Sequence, residues 1–263
     1  MNIFAISDLH VDYKPNRDWV MHLSRQDFTD DVLILAGDLS HKLDLVDATF
    51  YQLSACFGKV LYVPGNHDLW VGRKGSLTSI DKFRSLIELA ASHGIATTSW
   101  SHGGVSIIPL FGWYDFSFGP CCAYLKERWM DFFMCRWGEA FEGLTEFSDR
   151  EKAVTDYFLA MNTLPGKENG NTVITFSHFM PRIDVMPNYI PDIHRKLYPI
   201  LGSWQLDQQI RESGSTLHVY GHSHVNRHET IEGVTYINNA FGNPGEERIA
   251  AKMLKPVFTL PHP

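Results

Sequence analysis

Asp8 and His10, separated by one leucine in "AISDLHVD", stand where an apolar run over residues 2–6 ends. A carboxylate and an imidazole that close together have little to do in a solvated loop, whereas a metal ion uses both. The same chemistry recurs along the chain. "LILAGDLS" supplies Asp38, "YVPGNHD" supplies Asn66, His67 and Asp68, "ITFSH" supplies His178, and "VYGHSH" supplies His222 and His224. Carboxylate, imidazole and amide oxygen form a hard-to-borderline donor set without thiolate, which suits Mn²⁺, Fe or Zn²⁺ better than a closed structural zinc site. Seven candidate ligands drawn from these nine residues are too many for one tetrahedral ion. They are about right for two octahedral-like ions sharing a bridge, the clamp used for in-line attack at phosphorus.

These groups need a scaffold that brings distant segments together. Short apolar, β-branched runs at 2–6, 32–36, 60–63, 105–110, 173–176, 217–220 and 234–237 read as strands. Several lack polar alternation, which suits strands covered on both faces. Helical spacing marks 43–55, 79–93, 149–161 and 203–212, with Asp149 able to cap the third. Strands alternating with helices imply α/β layering. In such sheets functional groups collect beyond the carboxyl ends of the strands, so five loops converge on one crevice. Gly37, Gly65 and Gly221 beside the candidate ligands allow sharp turns. Residues 111–141 are dense in aromatic side chains and weakly periodic. They read as an insertion, at about 111–147, in a single domain spanning 1–263. Packing with one face exposed near the metals is favoured there over a lid or a subunit contact.

The bulk properties set outer limits. At 263 residues, 44% hydrophobic and 20% charged, the composition is that of an ordinary globular protein. A formal net charge of −7 argues against a general nucleic-acid or membrane-surface binder. No cationic n-region or apolar h-region precedes the first strand, and no run approaches the roughly 18–20 apolar residues of a membrane-spanning helix. Cys56, Cys121, Cys122 and Cys135 show neither zinc-type spacing nor a disulfide framework, so reduced thiols and a cytoplasmic location are expected.

The ordered motifs Asp8-Leu9-His10, Gly37-Asp38, Gly65-Asn66-His67-Asp68, His178 and Gly221-His222-Ser223-His224 resemble those of the calcineurin-like metallophosphoesterases. The resemblance implies a four-layer αββα sandwich, two mixed β-sheets flanked by helices, with two divalent metal ions at its upper edge. Manganese is the leading candidate, iron and zinc the others. It implies that Asp8, His10 and His224 hold one ion, that Asn66, His178 and His222 hold the other, and that Asp38 bridges them. A hydroxide between the ions would attack phosphorus. His67, not a ligand, would protonate the leaving group or stabilise the transition state as imidazolium. Asp68 would orient His67 and raise its pKa, with a turn-forming carboxylate as the alternative. Asp8 and His10 flank Leu9, so in extended chain both would face one side.

The expected activity is therefore hydrolysis of a small-molecule phosphate ester, a phosphomonoester or phosphodiester, with a cyclic nucleotide as the alternative. "GDLSHKLD" stands where protein serine/threonine phosphatases carry D-R-G after G-D, which argues against a phosphoprotein substrate. A non-catalytic scaffold would lack His67 or a ligand, and all are present. Arg182 and Arg227, just after ligand motifs, are candidates to clamp a phosphate, with a plain surface role as the alternative. Asp12 reads as a loop carboxylate or a partner of a ligand residue, His41 as a loop residue and His218 as a satisfied buried imidazole. Asn239 reads as a strand-end turn residue or a support for a ligand loop. His22, His93, His102, His194 and His262 read as ordinary surface or core residues.

Overall fold

The computed structural model describes residues 1–144, 146–164 and 171–260. The unalternating apolar runs form two parallel cores. In the first sheet, β1 (Asn2–Ile6), β2 (Phe28–Leu35) and β3 (Phe57–Tyr62) run parallel, and β10 (Lys255–Thr259) closes one edge antiparallel in the order β10-β1-β2-β3. The second sheet has the order β4-β5-β6-β7-β9-β8. Its centre, β5 (Val105–Pro109), β6 (Thr172–Phe176), β7 (Leu217–Tyr220) and β9 (Val234–Asn238), is parallel. The edges β4 (Trp100–His102) and β8 (Arg227–Ile231) are antiparallel.

Period-two alternation then builds the layers. Ile3, Ala5, Val32 and Ile34 of the first sheet meet Ile107, Ile174, Phe176 and Val219 of the second in a closed inter-sheet core. The intervening residues turn outward to helices. Leu33, Leu35 and Tyr62 share a core with Phe50 and Leu53 of α2 (Leu43–Cys56) and Phe83 of α3 (Ser79–Ser92). On the other side, Val154 and Phe158 of α7 (Phe147–Ala160) and Leu206 of α9 (Trp204–Glu212) cover the second sheet. This is the four-layer sandwich expected.

The differences from expectation lie at edges. Three strands, β4, β8 and β10, and the eight-residue helix α1 (Lys14–Met21) were not anticipated. All are short, and the strands are partly exposed sheet edges with mixed polar sequence, so neither apolar run nor length marks them. β2 begins at Phe28, four residues before its apolar stretch, because Phe28 pairs with Phe57 across a register shift that ends at Val32. Asp149 is not a cap: α7 starts at Phe147, which leaves Asp149 in its first turn. The aromatic stretch breaks into α4 (Ala123–Arg128), α5 (Asp131–Met134) and α6 (Glu139–Glu142). Finally α8 (Asp192–Arg195) sits in the long connection between β6 and α9. His262 lies outside the described residues.

The parallel strands place their carboxyl ends together, and main-chain bonds lace the loops beyond them. Asp8 N donates to Gly37 O (2.9 Å), His10 N to Asp38 O (3.0 Å), Gly242 N to Asp8 O (2.9 Å) and Gly221 N to His178 O (2.9 Å). Ser7 and Ala240 form a bridge that joins the ends of β1 and β9, so the two sheets are tied at this rim. Buried Asn16 of α1 adds a clamp, donating to Leu9 O and Gly242 O. Asn239 supports the rim similarly, donating to Ala5 O and Met253 O.

Candidate metal centre

Five of the seven residues expected to bind metal have left-handed backbone: Asp8 (φ 54°), His10 (40°), Asp38 (58°), His222 (67°) and His224 (53°). Among the described residues only Phe116 and Glu232 share this feature outside glycine. The conformation costs roughly 1–2 kcal/mol per residue, so the lacing above must hold it in place. The extended geometry expected for Asp8-Leu9-His10 is thus corrected. The chain coils after Ile6, and left-handed turns rather than strand alternation aim both side chains inward.

The glycines act in two ways. Gly37 is itself left-handed (φ 83°), and a Cβ there would lie 2.7 Å from His178 Nδ1. Gly65 and Gly221 need no unusual φ; they provide room. A Cβ on Gly65 would fall 2.1 Å from Asp38 Oδ1, and one on Gly221 2.8 Å from Asp8 Oδ2.

The side chains gather as three overlapping groups with ligand atoms close together: Asp8, His10 and His224; His10, Asp38 and His67; and Asp38, His178 and His222. His10 Nε2 is 3.1 Å from His224 Nε2, which is 3.2 Å from Asp8 Oδ1. His178 Nε2 is 3.2 Å from His222 Nδ1, 3.1 Å from Asn66 Oδ1 and 3.5 Å from Asp38 Oδ1. Asp38 Oδ2 lies 3.9 Å from His10 Nε2, so its carboxylate lies between the first group and the last. All seven residues meet at the rim.

The outer ring nitrogens show what faces inward. His178 Nδ1 is 2.9 Å from Ala36 O, and His222 Nε2 is 2.9 Å from Ile200 O. A carbonyl only accepts, so each of these nitrogens carries the proton. Their inner nitrogens are therefore bare lone pairs that point at one another and at Asn66 Oδ1. Lone pairs crowded at 3.1–3.2 Å lack only a cation. The residues fit the divalent metals that the donor types imply.

Burial depresses the pKa of His178, that of His10 to about 4 and that of His222 to about 3, keeping all three neutral. For His10 and His222 a neighbouring imidazole adds to the effect. His224 differs. Burial opposes its charge, but Asp8 and Glu246 raise its pKa to about 10. Asp38 is pushed well above the usual carboxylate range by burial and by repulsion from Asp8 and Asp68. The site thus has a surplus of negative groups that a cation would relieve.

Asp68 does not do what was expected. Its carboxylate accepts from the main-chain N–H groups of Asp38, Leu39, Ser40 and Gly65 and from Tyr62 OH, at 2.8–3.0 Å. It fastens the Gly37–Ser40 loop to the Gly65–Asp68 turn. The His67 ring instead stacks on Trp70 (centroids 3.8 Å apart) and meets His10 edge-on at 4.8 Å. Burial and the neighbouring histidines hold its pKa well below 6.5, the reverse of the expected rise. Lys82 of α3 donates to His41 O and Trp70 O, bracing the same two loops.

Two site residues escaped the sequence reading. Glu246 Oε2 lies 2.6 Å from His224 Nδ1, the carboxylate support usual behind a metal-binding histidine. Asp131, in the aromatic stretch, accepts from Asn66 Nδ2 at 2.9 Å. Burial pushes its pKa up to about 6 against the lowering effect of its hydrogen-bond donors. A lone acid inside "WMDFF" was the available signal, because a carboxylate among aromatic rings must find donors and indole N–H groups are nearby.

Arg182 is neither a phosphate clamp nor a surface residue. It is 8% exposed and pairs with Asp184, Asp207 and Glu232. Arg227 pairs with Glu229 and donates to Val185 O. Asp12 accepts from Ser40 Oγ beside half-exposed His41, and buried His218 is satisfied by Thr175 and Ser177.

A cleft of about 650 Å³ opens over Asp38, Asn66, His67, His222 and His224. Its walls are mostly apolar: Trp129 from the aromatic stretch, Ile249, and Met186, Tyr189, Ile190 and Leu197 from the connection around α8. No lysine or arginine lines it among the described residues. No described helix is long and apolar enough to cross a membrane.

Known proteins share this architecture. A structure titled as phosphopantetheinyl hydrolase (PptH) from Mycobacterium tuberculosis superposes with a TM-score of 0.75 at 23% identity, covering 100% of this chain and 96% of that one. In sequence, the [acyl-carrier-protein] phosphodiesterase PptH of M. tuberculosis is 27% identical over 272 aligned positions, 94% of this chain and 79% of the relative. Residues 1–226 match the family of calcineurin-like phosphoesterases, which act on phosphate esters and depend on metal, typically two ions. The chain belongs to that family and is a hydrolase of phosphate esters.

Proposed function

We propose that the chain hydrolyses a phosphodiester bearing a long, flexible, uncharged arm, of the phosphopantetheinyl kind that the names of its M. tuberculosis relative specify, attached to a carrier protein. One observation carries the reading: an apolar cleft without lysine or arginine opens directly onto the metal-binding rim. A phosphomonoester brings a dianion and usually meets extra cationic groups, whereas a diester brings one charge. Apolar walls suit a flexible arm better than a second phosphate.

In this reading Asp8, His10 and His224 would hold one divalent ion and Asn66, His178 and His222 a second, with the Asp38 carboxylate lying between the two groups. Manganese is the first candidate, with iron and zinc behind it. When bound, the ions supply Lewis acidity toward phosphoryl oxygens and make a water nucleophilic near neutral pH. His67, at the cleft floor and stacked on Trp70, gives a proton to the departing oxygen. Asp68 acts by fixing the two loops.

The test is a substrate panel with purified protein and Mn²⁺: a phosphopantetheinylated carrier protein, bis(p-nitrophenyl) phosphate, p-nitrophenyl phosphate and 3′,5′-cyclic nucleotides. Release of the arm and hydrolysis of the aryl diester are expected, with kcat/KM for the aryl monoester lower by about 10²-fold, the scale of an unmatched charge in a buried site. Preference for the monoester or for a cyclic nucleotide contradicts the proposal.

A further inference from the structure

We propose that Asp131 is a positioning residue that binds the ligand Asn66, the ring beneath His67 and the cleft wall Trp129 into one unit. This rests on the reading of Asn66 as a metal ligand.

Asp131 is 2% exposed and has no cationic partner among the described residues. Its charge is met by four neutral donors. Oδ1 accepts from Asn66 Nδ2 (2.9 Å) and Trp70 Nε1 (2.6 Å), and Oδ2 accepts from Trp129 Nε1 (2.8 Å) and Tyr114 OH (3.2 Å). Packing alone does not call for this, since burying a carboxylate is costly and an apolar side chain would fill the space. The contrast with Glu151 is direct. That acid is equally buried and accepts from an indole, Trp113 Nε1, but Arg150 balances its charge.

Each donor carries a consequence for the site. An amide has two chemically opposite ends, and only Oδ1 can coordinate a cation. By accepting the Asn66 N–H, Asp131 directs Asn66 Oδ1 inward, 3.1 Å from His178 Nε2. The Trp70 bond sets the plane on which His67 stacks, 28° from parallel. The Trp129 bond places the cleft wall, whose ring meets His222 edge-on at 6.1 Å. Asn66, the indole beneath His67 and the cleft wall Trp129 thus share one buried acceptor, and the aromatic stretch takes part in building the metal site.

The test reads Mn²⁺ binding by titration calorimetry and elemental analysis, with circular dichroism to confirm folding. Asp131→Asn turns an N–H₂ toward one pair of donors, and a loss of about 10–100-fold in affinity for one ion is expected. Glu151→Gln should bind Mn²⁺ as the wild type does. Asn66→Asp sets two buried carboxylates face to face and should also lose affinity. Combining it with Asp131→Asn restores a donor–acceptor pair, and recovery of at least about 10-fold over Asn66→Asp alone is expected. That comparison decides the matter even if Asp131→Asn alone does not fold. Wild-type affinity in Asp131→Asn, equal loss in Glu151→Gln, or a double variant no tighter than Asn66→Asp would each overturn the proposal. Asn66→Ala that still holds two ions would overturn the ligand reading beneath it. Loss of an ion there with normal binding in Asp131→Asn would remove the positioning role alone.

Discussion

Histidine serves different ends within a few ångströms at this rim. His178 and His222 are kept neutral by burial, and the carbonyls behind them fix the tautomer that leaves a lone pair facing inward. His224 instead carries a proton between Asp8 and Glu246 when no ion is bound. Its pKa rises from 6.5 to about 10, so in metal-free protein the stabilising contribution is complete below about 6.5 and is lost as pH rises towards 10. A metal must displace that proton. Apparent Mn²⁺ affinity should therefore climb about tenfold per pH unit between pH 7 and 9, read by titration calorimetry, and a pH-independent affinity would contradict the protonated His224. For His67→Ala the expectation is full metal content with kcat lower by about 10²–10⁴-fold. Loss of ions in that variant would make His67 a ligand. That these seven residues gather was legible because metal chemistry restricts residue type and the loops announce themselves at strand ends. Glu246 and Asp131 were not. They support the site through partners 22 and 65 residues away, and an isolated acid in sequence has no such address.

At the level of elements, the site depends on loops held in costly conformations by glycine clearances and main-chain lacing. Gly65 is the tightest point of that lacing, directly over Asp38. Gly65→Ala should cost about 1–3 kcal/mol, as overpacking does, and lower the melting temperature by roughly 2–4 °C per kcal/mol. It should also reduce metal content. Gly143→Ala, where an added Cβ meets nothing within 4 Å, should leave both unchanged and serves as control. The central strands were readable because burial on both faces leaves unbroken apolar runs such as "VLILA". Edge strands β4, β8 and β10 escaped because one side faces solvent and tertiary pairing decides their state. The left-handed turns at Asp8 and His10 were also invisible. Neither residue type marks such a turn as glycine does, and the conformation is imposed by the neighbouring Gly37–Leu39 loop.

For the molecule as a whole, two parallel cores placed back to back bring loops from residues 8 to 246 onto one rim, beneath a cleft built largely of apolar side chains. Buried Asp8, Asp38 and Asp68 crowd acidic groups there, and His224 sits between the carboxylates of Asp8 and Glu246. That crowding is what a pair of cations would relieve. The most direct test is a crystal structure grown in saturating Mn²⁺ with anomalous data at the manganese edge. Two peaks are expected roughly 3.5–4 Å apart, one touching Asp8, His10 and His224, the other Asn66, His178 and His222, with Asp38 touching both. A single peak, or ions seated away from these residues, would contradict the account.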